Sequence, residues 1–191
     1  LWSLGGEPWP FHVASIAGFA VAVLLWHLCL ARLGIGASGR WFGVALFALH
    51  PLRVETVAWA SALRDVSSLA LVLLALWLHL GKSRARWIGG LAFAAALLCK
   101  TTVFALAPVP LLVDLLWRRR PWRESLAAAS VYLVVGVAGA CVTWGAYRPV
   151  AEVNVRPGGG LIESLPILGA IQARYLRLQI WPADLAALPS P

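Results

Sequence analysis

Residues 87–113 read WIGGLAFAAALLCKTTVFALAPVPLLV, an apolar run interrupted by a single charge, Lys100. Whether this run is one membrane helix or two sets the direction of everything around it. The two strongest basic clusters flank it, Lys82, Arg84 and Arg86 on one side and Arg118, Arg119 and Arg120 on the other. Short loops rich in Lys and Arg stay on the cytoplasmic side of a membrane. One helix puts the clusters on opposite sides; two helices put them on the same side. The sequence therefore predicts two helices with a tight turn at Lys100-Thr101-Thr102.

The composition sets the class. Of 191 residues, 61% are hydrophobic and 13% charged, and mean hydropathy is +0.80. Soluble domains average about 45–50% apolar and about 25% charged. A free soluble globule and a disordered chain are both excluded on these values. The net charge of +8 would suggest nucleic acid in a soluble protein. In a membrane protein it reports topology and anionic headgroups, and no nucleic-acid partner is expected. Cys29, Cys99 and Cys141 lie in apolar runs, odd in number and without CxxC spacing, which argues against a disulfide framework or a metal site. Methionine is absent, so residues 1–191 read as a fragment, a single transmembrane domain.

A membrane-crossing helix needs about 20 apolar residues. Working outward from Lys100, the expected spans are Phe11 to Ala31, Ala37 to Leu49 (ending at His50-Pro51), Val66 to Leu80, Trp87 to Cys99, Thr101 to Trp117 and Ser125 to Tyr147. This is an all-α polytopic membrane helix bundle of about six spans. The C-terminal stretch 161–181 either crosses or lies in the interface, because Arg174 and Arg177 share one face of it. The parity puts nine Lys and Arg inside (32, 40, 82, 84, 86, 118, 119, 120 and 123) and five outside (53, 64, 100, 148 and 156). Trp9, Trp41, Trp87, Trp117 and Trp144 stand near predicted ends, as an aromatic belt requires.

The outer side gathers the polar residues that need a reason. In the string His50-Pro51-Leu52-Arg53-Val54-Glu55-Thr56-Val57-Ala58-Trp59, Pro51 suits the first turn of a helix. That helix would hold Glu55 at the membrane surface, where an isolated carboxylate is costly unless paired or functional. An ion pair of Glu55 with an arginine is the plain alternative. Asp65, after Arg64, matches a helix N-terminus as a charge–dipole contact. Lys100 either snorkels to the headgroups or binds a lipid phosphate. His27 and His79 read as packed or interfacial side chains near inner ends. Asp114 and Arg118, four apart, read as a helix-end pair. No nucleophile elbow, HExxH or Walker motif is present.

The string from Ala48 to Trp59, followed by Arg64-Asp65 and a Leu-rich span, resembles the membrane domain of bacterial tetratricopeptide-repeat membrane proteins. These are related to TMTC-type protein O-mannosyltransferases of the GT-C glycosyltransferase fold. Leu97-Leu98-Cys99-Lys100 with Pro108, Pro110 and Asp114 is similar to a second family stretch. Arg174-Tyr175-Leu176 with Trp181-Pro182-Ala183-Asp184-Leu185-Ala186 is similar to a third. The resemblance covers roughly residues 10–190. It implies transfer of a sugar from a polyprenyl-phosphate carrier to an outer-face acceptor, such as a protein Ser or Thr hydroxyl or a glycan. Membrane lipids and the lipid-linked donor are the expected partners, with no further cofactor. The location it implies is the bacterial inner membrane, with the site on the periplasmic face. Glu55 and His50 would be the catalytic residues, and Lys100, Arg53, Arg64 and Asp65 the phosphate-binding set. The family's catalytic acid usually lies on the first outer loop, which would precede Leu1, and its repeats would follow the domain. Thr101 stands where relatives often carry Glu or Pro. The rival readings are a lipid-binding transporter or flippase-like protein, and a non-catalytic membrane scaffold for repeats.

Single cysteines placed at positions 55 and 100 of a cysteine-free chain should both react with an impermeant maleimide from the outer face. Protection of position 100 at mid-bilayer, with the two basic clusters labelled from opposite sides, would refute the two-helix reading.

Overall fold

The computed structural model describes residues 9–51, 63–81, 85–153 and 161–180. Among these there is no strand. The helices are α1 (Trp9–Arg32), α2 (Ala37–Leu49), α3 (Leu63–His79), α4 (Ala85–Cys99), α5 (Val109–Leu112), α6 (Trp122–Val153) and α7 (Leu161–Ile180). A 3-10 helix, Thr101–Leu106, precedes α5, and a π-helical turn, Val113–Trp117, follows it. Two helical stretches are long and apolar enough to cross a membrane, Trp9–Arg32 and Trp122–Ala146. In each, only 22% of the most apolar window is buried, whereas the core helix of a soluble protein would be mostly covered. The other apolar segments of the first unit are shorter, from 13 residues in α2 to 17 in α3.

The chain divides into two compact units, residues 1–143 and 144–191, with the boundary inside α6. The second holds the end of α6 and α7, whose side chains from Leu165 to Arg177 are exposed.

In the first unit each segment reverses the one before. Gly34, at φ 77°, ends α1. Its N–H bonds the Ala31 carbonyl at 3.1 Å, and the Ile35 N–H bonds that of Leu30 at 3.2 Å. This is the Schellman termination that favours glycine. It turns α2 back along α1, where Phe19 stacks on Phe47 and Trp26 Nε1 donates to the Gly43 carbonyl at 3.2 Å. α3 runs parallel to α1, with Gly18 against Val66, Cys29 Sγ donating to the Leu73 carbonyl at 3.5 Å, and Arg32 donating to the Trp77 carbonyl. α4 returns along α3.

The run 87–113 is broken at Lys100. Its N–H closes α4 on the Ala96 carbonyl at 2.9 Å, and its carbonyl accepts from Val103 N–H at 3.2 Å to open the next turn. Beyond it the expected helix from Thr101 to Trp117 is not one α-helix. Pro108 and Pro110 lack the N–H groups that would bond the carbonyls four residues back. The chain meets this by winding tightly as a 3-10 turn first and restarting as α5 with a proline in its first turn.

The core lies between α3, α4, α6 and the 3-10 turn, built from Ala75, Ala92, Phe93, Ala96, Leu97, Val103, Ala107 and Tyr132. Small residues let the backbones close in. A Cβ on Gly89 would collide with the Tyr132 hydroxyl and meet the Ala75 carbonyl at 3.1 Å. Gly89→Ala should therefore destabilise the unit by about 1–3 kcal/mol through overpacking. Gly145→Ala, in open space, should leave the melting temperature in detergent unchanged or slightly raised. Equal melting temperatures for Gly89→Ala and wild type would refute this packing.

Candidate functional site

The structure places charged side chains at the two ends of α3. Asp65 lies in its first turn, and its backbone carbonyl accepts from Ser68 Oγ at 2.9 Å. Lys100 sits at the break after α4, in extended conformation with φ −149° and ψ 112°. Its Nζ lies 2.9 Å from Asp65 Oδ2, with the side chains 40% and 33% exposed. Arg64 Nε stands 3.8 Å from Asp65 Oδ1, an ion pair too long to be a hydrogen bond. Of the six site residues expected from sequence, Arg64, Asp65 and Lys100 thus come together. The charge–dipole role expected for Asp65 is joined by a cross-helix pair. His50 caps α2 with φ −63° and ψ 127° and lines a shallow apolar pocket of about 300 Å³ with Phe42, Ala45, Leu46, Leu49 and Pro51. Arg53 and Glu55 lie outside the described residues. Chemically, a half-exposed ammonium beside a carboxylate offers a point charge for an anionic group and a counter-ion that holds it in place meanwhile.

At the other end of α3, fourteen residues on and about 21 Å away along the axis, is a centre that sequence reasoning did not assemble. His79 and Asp114 are both fully buried. His79 Nε2 donates to Asp114 Oδ2 at 3.1 Å. Arg118 Nη1 donates to Oδ1 at 3.2 Å, and Arg120 Nη1 lies 3.6 Å from Oδ2. The π turn delivers this geometry: Arg118 N–H reaches back five residues to the Val113 carbonyl, and Arg120 N–H six residues to that of Asp114. Between them Arg119 takes φ 51°, a left-handed conformation costing a non-glycine residue about 1–2 kcal/mol. The turn folds Arg120 back over the carboxylate. Tyr132 meets the His79 ring edge-on at 5.3 Å between centroids, and its hydroxyl donates to the Ala75 carbonyl at 3.3 Å.

The Asp114–Arg118 pair was legible as an i,i+4 spacing, and His79 as a packed side chain. Their union was not, although one signal was available. The alternating direction of the segments ends α3 and the fifth segment on the same side, and a carboxylate within apolar surroundings demands a partner. Among the described residues no group of three or more His, Cys, Asp or Glu could hold a metal ion.

Compared with protein-family models, curated proteins and solved structures, the chain matches none.

Removing the Asp114 carboxylate leaves two guanidinium groups without their counter-charge and the His79 Nε2–H without its acceptor. Breaking a buried pair in this way costs about 3–5 kcal/mol. Asp114→Ala should therefore lower the melting temperature in detergent far more than Glu124→Ala on the exposed first turn of α6. Equal melting temperatures would mean that the centre contributes no stability.

Proposed function

We propose that this chain is the membrane part of a GT-C-type glycosyltransferase, similar to bacterial TMTC-type proteins. It passes a sugar from a polyprenyl-phosphate carrier to a hydroxyl on the outer face of the bacterial cytoplasmic membrane. The observation that carries this reading is the Lys100–Asp65 pair, held at a chain reversal at the end of the bundle, half-exposed. A lipid-borne phosphate has to be met at such a level, and a lysine is a suitable point charge for it.

In this reading α1, α2, α3, α4, the segment 101–117 and α6 are six crossings. α2, with 13 residues, spans about 20 Å as helix, so its loops and a locally thinned bilayer complete the crossing. The positive-inside bias puts Lys100 outside and Arg118 inside. Glu55 takes the proton from the acceptor hydroxyl while the hydroxyl oxygen attacks the anomeric carbon. The bond from that carbon to the carrier phosphate breaks, and its electron pair leaves with the phosphate. Lys100, Arg53 and Arg64 stabilise the charge that develops there, Asp65 positions Lys100, and His50 lines the approach.

A second reading has an observation of its own: Lys100 already holds a carboxylate at 2.9 Å. The pair would then only pin the break, in a lipid-binding or scaffold protein without transfer chemistry.

Sugar transfer by the full-length protein separates the two. Glu55→Gln and Lys100→Ala should each lower transfer about 100-fold or more while expression and melting temperature stay near wild type. The exchanged pair Asp65→Lys with Lys100→Asp should keep the melting temperature near wild type without restoring transfer. Unchanged transfer in Glu55→Gln and Lys100→Ala would remove these two residues from the site, and no transfer by the full-length wild type would remove the enzyme reading.

A further inference from the structure

We infer that the His79 end of the first unit is a binding site for one phosphate group, built on Arg118 and Arg120 and independent of the transferase reading. Asp114 accepts from Arg118 Nη1 at 3.2 Å, and Arg120 Nη1 stands 3.6 Å from it as an ion pair. A guanidinium carries five N–H donors in a fixed fork, so most of the donors of each arginine are left over. The two side chains remain 24% and 30% exposed. The carboxylate thus acts as a positioning group. It fixes two planar forks side by side, with their remaining donors at the surface.

The charge count points the same way. Two guanidinium groups against one carboxylate leave a surplus of one positive charge. Arg86 adds another: it stands within electrostatic reach of both His79 and Tyr132, and its carbonyl accepts from the Tyr132 hydroxyl at 3.4 Å. Arg86 Nε and the Nδ1 of the fully buried His79 have no hydrogen-bond partner among the described residues. Buried polar atoms are rarely left so, and an anion drawn against the surplus charge would answer the Nε–H donor. A tetrahedral oxyanion suits paired guanidinium forks, which recognise phosphate bidentately and give up their hydration easily. Its level suits a lipid as well. Trp117, just before Arg118, is exposed while its Nε1 donates to the Leu33 carbonyl at 2.9 Å. An indole held this way at a helix end is the usual mark of the headgroup layer. The phosphate is supplied either by an anionic phospholipid headgroup or by a soluble phosphate.

The test uses the full chain in two arms. In the first, protein from nanodiscs of phosphatidylcholine mixed with phosphatidylglycerol is released into neutral detergent, and the retained lipid is read by native mass spectrometry. In the second, inorganic phosphate is added in neutral detergent and the melting temperature is read. Preferential retention of phosphatidylglycerol assigns a lipid headgroup; a rise in melting temperature with inorganic phosphate assigns a soluble phosphate. In the responding arm, Arg120→Gln should weaken binding about fivefold, the amount a single basic residue contributes near an anionic surface. Arg118→Gln should match it where its melting temperature shows it folded. Arg123→Gln, exposed and stacked near Trp122, should keep wild-type binding. No preference in either arm, or an equal loss from Arg123→Gln, would overturn the site, the latter by reducing it to diffuse attraction of basic loops.

Discussion

A carboxylate set at the end of an apolar segment needs partners where it stands, and Asp114 meets them from two directions. His79 comes from α3, and Arg118 and Arg120 from the turn that follows. That requirement fixes where the fifth segment ends relative to α3. It also accounts for local geometry that would otherwise be unfavourable. An α-helical continuation from Val113 would leave Arg120 on the next turn, directed away from the carboxylate. The π turn and the left-handed Arg119 bring it back. The strain at Arg119 is of order 1–2 kcal/mol, small beside the several kcal/mol at stake in an unpaired buried charge.

At its other end the same helix carries the partly exposed Asp65–Lys100 pair, a minor brace beside the buried one. With His79 held against Asp114, α3 has little freedom to slide or rotate. A slip of one residue turns a helix by about 100°, enough to carry both side chains off their partners. Between the two ends the contacts are of a different kind. Ala75, Gly89, Ala92 and Ala96 allow close backbone approach, and such packing by itself specifies register weakly. Polar groups at the ends and small residues in the middle therefore divide the work of specifying register and of supplying contact area. Single buried polar residues act in the same way where apolar seams alone leave register open.

The sequence carried the helix positions because they rest on local apolar runs. Ala37–Leu49 ends where the His50-Pro51 step predicts, and α4 ends at Cys99 as the two flanking basic clusters require. Those basic clusters were a long-range constraint readable without coordinates. The broken form of segment 101–117 was written in Pro108 and Pro110, but a hydropathy pattern treats a proline as one more apolar residue. The His79–Asp114 bond was illegible for a different reason. It joins residues 35 apart on segments whose rotation is set by glycine and alanine contacts, and sequence spacing says nothing about that rotation. The candidate site was legible as a set of residue types at one end of the chain path. Which of them touch, Arg64, Asp65 and Lys100, needed the packing of α3 on α4.

The two ends differ in what each can exchange. Asp114 and His79 are fully buried, so replacing either partner means drawing a charge through apolar surroundings. That centre holds its own bonds and offers only the outward donors of its arginines. Lys100 and Asp65 are partly exposed, and water or a ligand reaches both. A pair in that position is worth little as a brace, about 0–1 kcal/mol, so an incoming anion gives up little by taking Asp65's place on the ammonium. Weak pairing at Lys100 and strong pairing at Asp114 are thus suited to different tasks. The first leaves both charged groups open to exchange with solvent, while the second keeps the helix that carries Asp65 in register.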